Sequence, residues 1–150
     1  MSDVFCWKSF DALTNNELYA LLRLRSEVFV VEQNCVFLDL DDYDQASEHL
    51  LMRDVSGALI GTARLLPPGV KYPECSIGRV VNPLRLRGTG AGKRLMDEAV
   101  RHSRERFPGS PIVIWAQQRL QAFYEQFGFV CCAEPEYEDG ILHVKMRLAQ

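Results

Sequence analysis

The stretch CSIGRVVNPLRLRGTGAGK, Cys75 to Lys93, constrains this chain more than any other. A strand-like run from Cys75 to Val81 leads into three glycines at alternate positions, Gly88, Gly90 and Gly92. Leu95, Met96, Ala99, Val100 and Ser103 then recur on one helical face, up to a stop at Pro108-Gly109. The apolar run PIVIWAQ follows, with the composition of a strand buried on both faces. Strand, bare loop, helix and strand make Ser76 to Ala116 a βαβ crossover, which forces a parallel strand pair into the sheet. At the start of such a helix several N–H groups lack partners and the dipole is positive, so an anion can bind there. Glycine lets the anion approach without meeting a Cβ. Arg85, Arg87, Lys93 and Arg94 surround the loop and add charge, so the expected ligand is a pyrophosphate or related polyanion. The spacing fails both G-x-x-x-x-G-K-[ST] and G-x-G-x-x-G, which disfavours a nucleotide-dependent phosphotransferase and a dinucleotide fold.

The remaining pattern is that of a mixed α/β sheet. VFCWKSF reads as a first strand, and Thr14 with Glu17 forms a capping box. Leu18, Leu21, Leu22, Arg25, Val28 and Phe29 follow at helical spacing, predicting a helix over 15–30. EHLLMRDVSGALIGTARLLP reads as a hairpin turning at Asp54–Gly57. Leu120, Phe123, Tyr124 and Phe127 mark a further helix stopped by Gly128. ILHVKMRLA alternates, with Leu142, Val144, Met146 and Leu148 on one face and His143, Lys145 and Arg147 on the other. The order is β, α, loop, β, β, β, α, β, α, β: a mostly antiparallel sheet with helices on both faces. Nothing resembles a linker or repeat, so residues 1–150 read as one domain.

Composition narrows the function classes. With 17 Lys and Arg against 20 Asp and Glu, the net charge of −3 argues against nucleic acid as the main partner. No run suits a membrane span, and MSDVFCWKSF has no cationic head before an apolar stretch, so no secretory signal is expected. Five cysteines without metal-binding spacing point to reduced thiols in a cytoplasm and to no metal. Glu32, Asp39, Asp41, Asp42, Asp44 and Glu48 crowd one segment around Tyr43. Such a run is either a solvated loop or an acceptor site that draws in a cation. Arg64 and Arg79 either bind a substrate carboxylate or pair with that loop.

RGTGAG matches R/Q-x-x-G-x-G/A and resembles the acyl-CoA-binding motif of the GCN5-related N-acetyltransferase (GNAT) family. LQAFYEQFGF, Leu120 to Phe129, is similar to that family's second signature, and RSEVFVVEQ, Arg25 to Gln33, is similar to its ElaA-like subgroup. Nearly the whole chain can be laid onto the family pattern. The resemblance implies the GNAT fold and an N-acyltransferase that uses acetyl-CoA as cosubstrate, with direct attack of a primary amine on the thioester. The strand residues Val80, Val81 and Asn82 would pair with the pantetheine amides. The amides of Gly88, Thr89, Gly90, Ala91, Gly92 and Lys93, led by Arg87, would hold the pyrophosphate. Tyr124 would be the general acid that protonates the leaving thiolate. Two places depart from the family: Asn82, Pro83 and Leu84 stand where Val-x-Pro is common, and Gln117 stands where the second signature often begins with asparagine.

The resemblance implies as acceptor a small-molecule amine, or the lysine or N-terminal amine of a peptide; no nucleic acid or membrane partner is expected, and a homodimer is open. For the proton of the attacking amine the candidates are Glu74, His49 or water. A route through Cys35, Cys131 or Cys132 is disfavoured because none has a histidine partner in sequence. The rivals are an acyl-CoA-binding module without turnover, and acyl-homoserine-lactone synthesis, suggested by FVVEQ.

Overall fold

The computed structural model describes residues 2–150. The strands are β1 (Val4–Ser9), β2 (Glu48–Arg53), β3 (Leu59–Leu66), β4 (Cys75–Val81), β5 (Ile112–Gln117), β6 (Val130–Cys131), β7 (Glu136–Glu138) and β8 (Ile141–Leu148). They form one sheet in the order β1-β2-β3-β4-β5-β8-β6, with β7 also paired to β8. Every pairing is antiparallel except β4 with β5, the pair the crossover demands.

The helices are α1 (Asn15–Arg25), α2 (Ala91–Arg106) and the short α3 (Gln121–Glu125). Thr14 caps α1 as expected: its Oγ1 accepts from the Glu17 N–H at 3.0 Å, and Glu17 accepts from the Thr14 N–H at 2.9 Å. Beyond Arg25 the helix widens into a π-helical segment, Ser26–Glu32, which carries the helical run past the expected end at residue 30. The β-branched run Val28, Val30 and Val31 sits inside it, where stiff side chains crowd a regular α turn.

One face of the sheet packs on α1, through Leu24 and Val28 against Val81. The other face packs on α2 and α3. There Ile112, Ile114, Ala116, Val144, Met146 and Leu148 meet Met96, Ala99, Tyr124 and Phe129, while Leu50 and Met52 meet Ala91 and Leu95. The alternation read in β8 holds, with Val144, Met146 and Leu148 buried and Arg147 exposed.

Two irregularities open the sheet in the middle. The β3–β4 ladder passes from Arg64↔Gly78 to Thr62↔Val81, so β4 carries one extra residue, a bulge. Arg79, inside that bulge, has φ of +50°, an uncommon backbone state for a residue with a Cβ. The parallel pair β4–β5 is joined only at Cys75↔Ile112 and Ser76↔Val113. Beyond those residues the two strands diverge, and the split between them is where a ligand can pass.

Candidate active site

A cleft of about 480 Å³ occupies the split between β4 and β5. Val80 and Val81 line it from β4 and Asn82 from just beyond that strand, Ile114 to Gln117 from β5, and Gly88, Gly90, Gly92 and Lys93 from the glycine loop and the start of α2. Tyr124 closes it on the α2–α3 side; Phe29, Gln33 and Cys35 approach from the α1 side. The cleft therefore runs through the sheet from one helix layer to the other.

The glycine loop has the form that anion binding requires. Gly88 and Gly90 have φ of +80° and +86°, and Gly90 caps α2 without a side-chain hydrogen bond. Thr89 spends its N–H on Leu86 O at 3.2 Å, and the Ala91 N–H reaches Thr89 Oγ1 at 3.4 Å. Those two amides are thus engaged within the turn. The N–H groups of Gly88, Gly90, Gly92 and Lys93 have no partner among the described residues. Of the four flanking cations, Arg87 and Lys93 line the cleft and Arg85 and Arg94 do not. Arg94 turns away to Asp3 at 2.6 Å, and Arg87 pairs with Glu32 at 2.5 Å while staying largely exposed.

Asn82 is fixed by donating from Nδ2 to Ile60 O at 2.7 Å. A Cβ on Gly61 would lie 2.8 Å from that nitrogen, so the glycine makes room for the asparagine. The Gln117 side chain bridges two neighbours, donating to Gln33 Oε1 at 3.1 Å and accepting from Arg119 Nε at 3.0 Å.

Tyr124 lies edge-on to Phe123 and Phe129, and only 8% of its surface is exposed. Its hydroxyl has no hydrogen-bond partner among the described residues. Burial pushes its pKa up to about 12, so at neutral pH the phenol carries its proton and acts as a donor, not a base.

Neither side-chain candidate for the base is at the cleft. Glu74 pairs with Arg147 at 3.3 Å on the surface. His49 is buried against Asp44 O at 2.8 Å, and burial holds its pKa below the usual imidazole value. The imidazole that does line the cleft is His143. Its ring stacks on Trp115, with centroids 5.6 Å apart and planes 8° from parallel. Its Nδ1 lies 2.8 Å from Ile141 O. A carbonyl only accepts, so Nδ1 holds the hydrogen and Nε2 keeps a free lone pair. In sequence His143 is one more polar residue on the outward face of β8. Only the cross-strand register Gln117↔His143 and Trp115↔Lys145 brings it to the split.

The acidic segment is neither a solvated loop nor a free cation trap. Arg25 is 1% exposed and donates to Asp39 and Asp44, each at 2.8 Å. Arg64 bonds Asp41 at 2.5 Å and Asp44 at 3.0 Å. Arg79 Nε lies 2.8 Å from Asp39 Oδ1, in ion-pair range but out of line for a hydrogen bond. Three arginines thus neutralise three aspartates, and Arg64 and Arg79 hold the loop. Burial alone would raise the Asp41 and Asp44 pKa values; the guanidinium groups outweigh it and hold both well below the carboxylate range. Of the cysteines only Cys35 lines the cleft, its thiol directed at Asp139 O at 3.5 Å, with no imidazole bonded to it. Among the described residues no group of acidic, histidine and cysteine side chains is placed to hold a metal, and no helix is long and apolar enough to cross a membrane.

A protein family and several individual proteins resemble this chain. A family model described as an acetyltransferase (GNAT) domain matches residues 29–150. A UPF0039 protein of Synechocystis is 39% identical over 140 residues, 93% of this chain and 91% of that one. The crystal structure of an acyl-CoA N-acyltransferase from Pseudomonas aeruginosa superposes with TM-score 0.92 at 40% identity, covering 99% of this chain and 100% of that one. Escherichia coli ElaA superposes with TM-score 0.90 at 35% identity, covering 98% and 99%.

Proposed function

The chain belongs to the GNAT acetyltransferase family, in its ElaA-like subgroup, and on that premise we propose that it transfers an acetyl group from acetyl-CoA to a primary amine by direct attack. The observation that carries this reading is the path of the cleft. It begins at four unpartnered amides on a helix N-terminus, passes the bulged strand β4, and emerges between a protonated phenol and an imidazole lone pair.

Acetyl-CoA supplies a thioester carbonyl carbon and a thiolate leaving group. The free amides of Gly88, Gly90, Gly92 and Lys93 hold its pyrophosphate, with Lys93 and Arg87 adding charge. The β5-facing edge of β4 at Val80 and Val81, continued by Asn82 just beyond the strand and freed by the split, pairs with the pantetheine amides as an added strand would. Tyr124 and His143 stand on opposite sides of the sheet opening, so each proton has its own route. His143 Nε2 takes the proton that the attacking nitrogen sheds as the N–C bond forms. Tyr124 gives its proton to the sulfur as the C–S bond breaks, and solvent returns the proton balance afterwards. Cys35 has no partner to make it a thiolate, so no acyl-cysteine step is needed.

A thiol-release assay with acetyl-CoA and a panel of primary amines tests the reaction. Release that depends on an amine is expected; binding of coenzyme A with no release for any amine would reduce the protein to an acyl-CoA-binding module. In that assay His143→Gln lowers kcat/KM by about tenfold or more. An unchanged kcat/KM would remove His143 from the proton path.

The anion cradle has its own test. Gly90 takes φ of +86°, and a Cβ there would lie 3.4 Å from Arg94 Nη1. Gly90→Val places a β-branched residue in a backbone state that costs about 1–2 kcal/mol and covers an amide meant for the ligand. Calorimetry should show coenzyme A binding weakened by roughly tenfold to a hundredfold. Unchanged affinity would place the pyrophosphate elsewhere.

A further inference from the structure

His143 sits where β8 has partners on both edges, pairing with Gln117 of β5 on one side and with Glu136 of β7 on the other. Alternation along β8 puts Ile141, His143 and Lys145 on one face. The same register places Trp115 of β5 opposite Lys145 and Glu138 of β7 opposite Ile141. Opposed residues of an antiparallel pair share a face, so Trp115 and Glu138 flank His143 along a diagonal of that face.

The diagonal is bridged. The Trp115 indole N–H donates to Glu138 Oε2 at 2.8 Å, although β8 lies between their two strands. To make that bond the indole crosses the row of β8 that His143 occupies. It stacks on the imidazole as it does so, with ring centroids 5.6 Å apart and planes 8° from parallel. Trp115, Glu138 and His143 all line the cleft.

Two groups therefore hold the imidazole, and they do different things. The Ile141 carbonyl, 2.8 Å from Nδ1, fixes the tautomer. One hydrogen bond at one ring edge leaves the ring free to swing, because the χ2 torsion of histidine has a broad well. The stacked indole restrains that swing. Glu138 in turn anchors the indole at its N–H, and it needs only an acceptor oxygen to do so, not a charge.

We propose that Trp115 and Glu138 are positioning residues for the proton transfer: Glu138 anchors the indole, the indole fixes the plane of the His143 ring, and Nε2 keeps the direction in which it meets the attacking amine. The assignment rests on the acetyl-transfer reading with His143 as the base. Both residues act through His143, so their loss costs rate and not binding. A misdirected lone pair weakens the transition state while the ground-state complex still forms.

Steady-state kinetics with acetyl-CoA and the amine that gives the fastest thiol release test the clamp. Glu138→Ala and Trp115→Phe should each lower kcat by about fivefold, with the KM of the amine and the affinity for coenzyme A within about twofold of wild type. Glu138→Gln, whose amide oxygen still accepts from the indole, should restore kcat to within about twofold. In the His143→Gln background Glu138→Ala should cost nothing further, because the ring it positions is gone. An undiminished kcat in Glu138→Ala, a Glu138→Gln rate as low as that of the alanine variant, a change confined to KM, or a loss that adds to that of His143→Gln would each overturn the proposal.

Proton NMR reads the clamp without turnover. The chain has three histidines, so the ring signals of His143 are identified by their absence from His143→Gln. At a common alkaline pH the indole ring current should displace them equally in the wild type and in Glu138→Gln, and they should move in Glu138→Ala. Signals that ignore Glu138→Ala would overturn the clamp whatever the kinetics show. Signals that follow Glu138 in a protein that releases no thiol with any amine would leave the clamp standing and remove the transfer reaction.

Discussion

Tyr124→Phe lowers kcat by about a hundredfold or more while coenzyme A affinity and melting temperature stay nearly constant. The phenyl ring keeps the edge contacts with Phe123 and Phe129 that the tyrosine makes at 5.1 and 6.3 Å. The hydroxyl has no hydrogen-bond partner among the described residues, so deleting it orphans no buried group. A purely structural tyrosine would therefore show no loss of rate. A proton donor to the departing sulfur shows a loss confined to kcat, because the interaction exists only in the transition state. The sign of the pH dependence is fixed as well. The active form is the protonated phenol, and burial pushes its pKa up to about 12, so its contribution is complete at neutral pH and is lost only as pH rises toward that value. The wild-type rate should carry no alkaline limb from this group within the ordinary assay range. Turnover unaffected by the substitution would strip Tyr124 of the role and leave the thiolate to depart unaided.

Local signals were the most legible. The capping box at Thr14, the alternation of β8, the helix stop at Gly128 with φ of +97°, and the strand–glycine–helix unit all depend on neighbours a few residues away. The parallel β4–β5 pair followed from topology. The strands β6 and β7 were not legible: they lie in VCCAEPEYEDG, where no apolar face announces a strand, and they exist because the edge of β8 offers backbone groups to pair with. The buried ion cluster was half legible. Arg25 falls on the apolar face of its own helix between Leu21 and Val28, a position where a charge must find a partner. The partners are 14 and 19 residues away, on an irregular loop whose path no pattern specifies. The proton acceptor was hidden for the same reason. His143 becomes distinctive only when Trp115 is placed beside it by a pairing 28 residues long in sequence.

Arg25→Met should destabilise the protein by about 3–5 kcal/mol, the usual cost of removing one partner from a buried charge pair. For a chain of this length that corresponds to a fall in melting temperature of roughly 10 °C. Asp39 and Asp44 keep Arg79 and Arg64 as neighbours, but Asp44 loses both of its bonds to Arg25, at 2.8 and 3.1 Å, and Asp39 loses one to its carboxylate at 2.8 Å and one to its carbonyl at 3.5 Å. The methionine fills much of the arginine's volume, so the loss is one of charge and not of packing. Asp44→Asn in the Arg25→Met background should then recover part of the stability, a coupling that a cavity would not show. In the wild type the pKa values of Asp41 and Asp44 are depressed by their arginines, so the stability these groups contribute is present above the unfolded carboxylate value of about 3.9 and is lost as pH falls below it. In Arg25→Met one of the two cations that hold Asp44 down is gone, Arg64 alone remains against the effect of burial, and protonation of Asp44 costs the variant less stability than it costs the wild type. The stability gap between the two proteins should be widest near neutral pH and narrow below about pH 4. Asp39 and Asp41 of the cluster hold Arg79, whose left-handed backbone forms the β4 bulge, so the cluster also maintains the split through which the ligand passes. A gap that stayed constant from pH 7 to pH 3 would mean that Arg25 acts through packing alone, and the bulge would then have to be held by the strand register without help from the ion cluster.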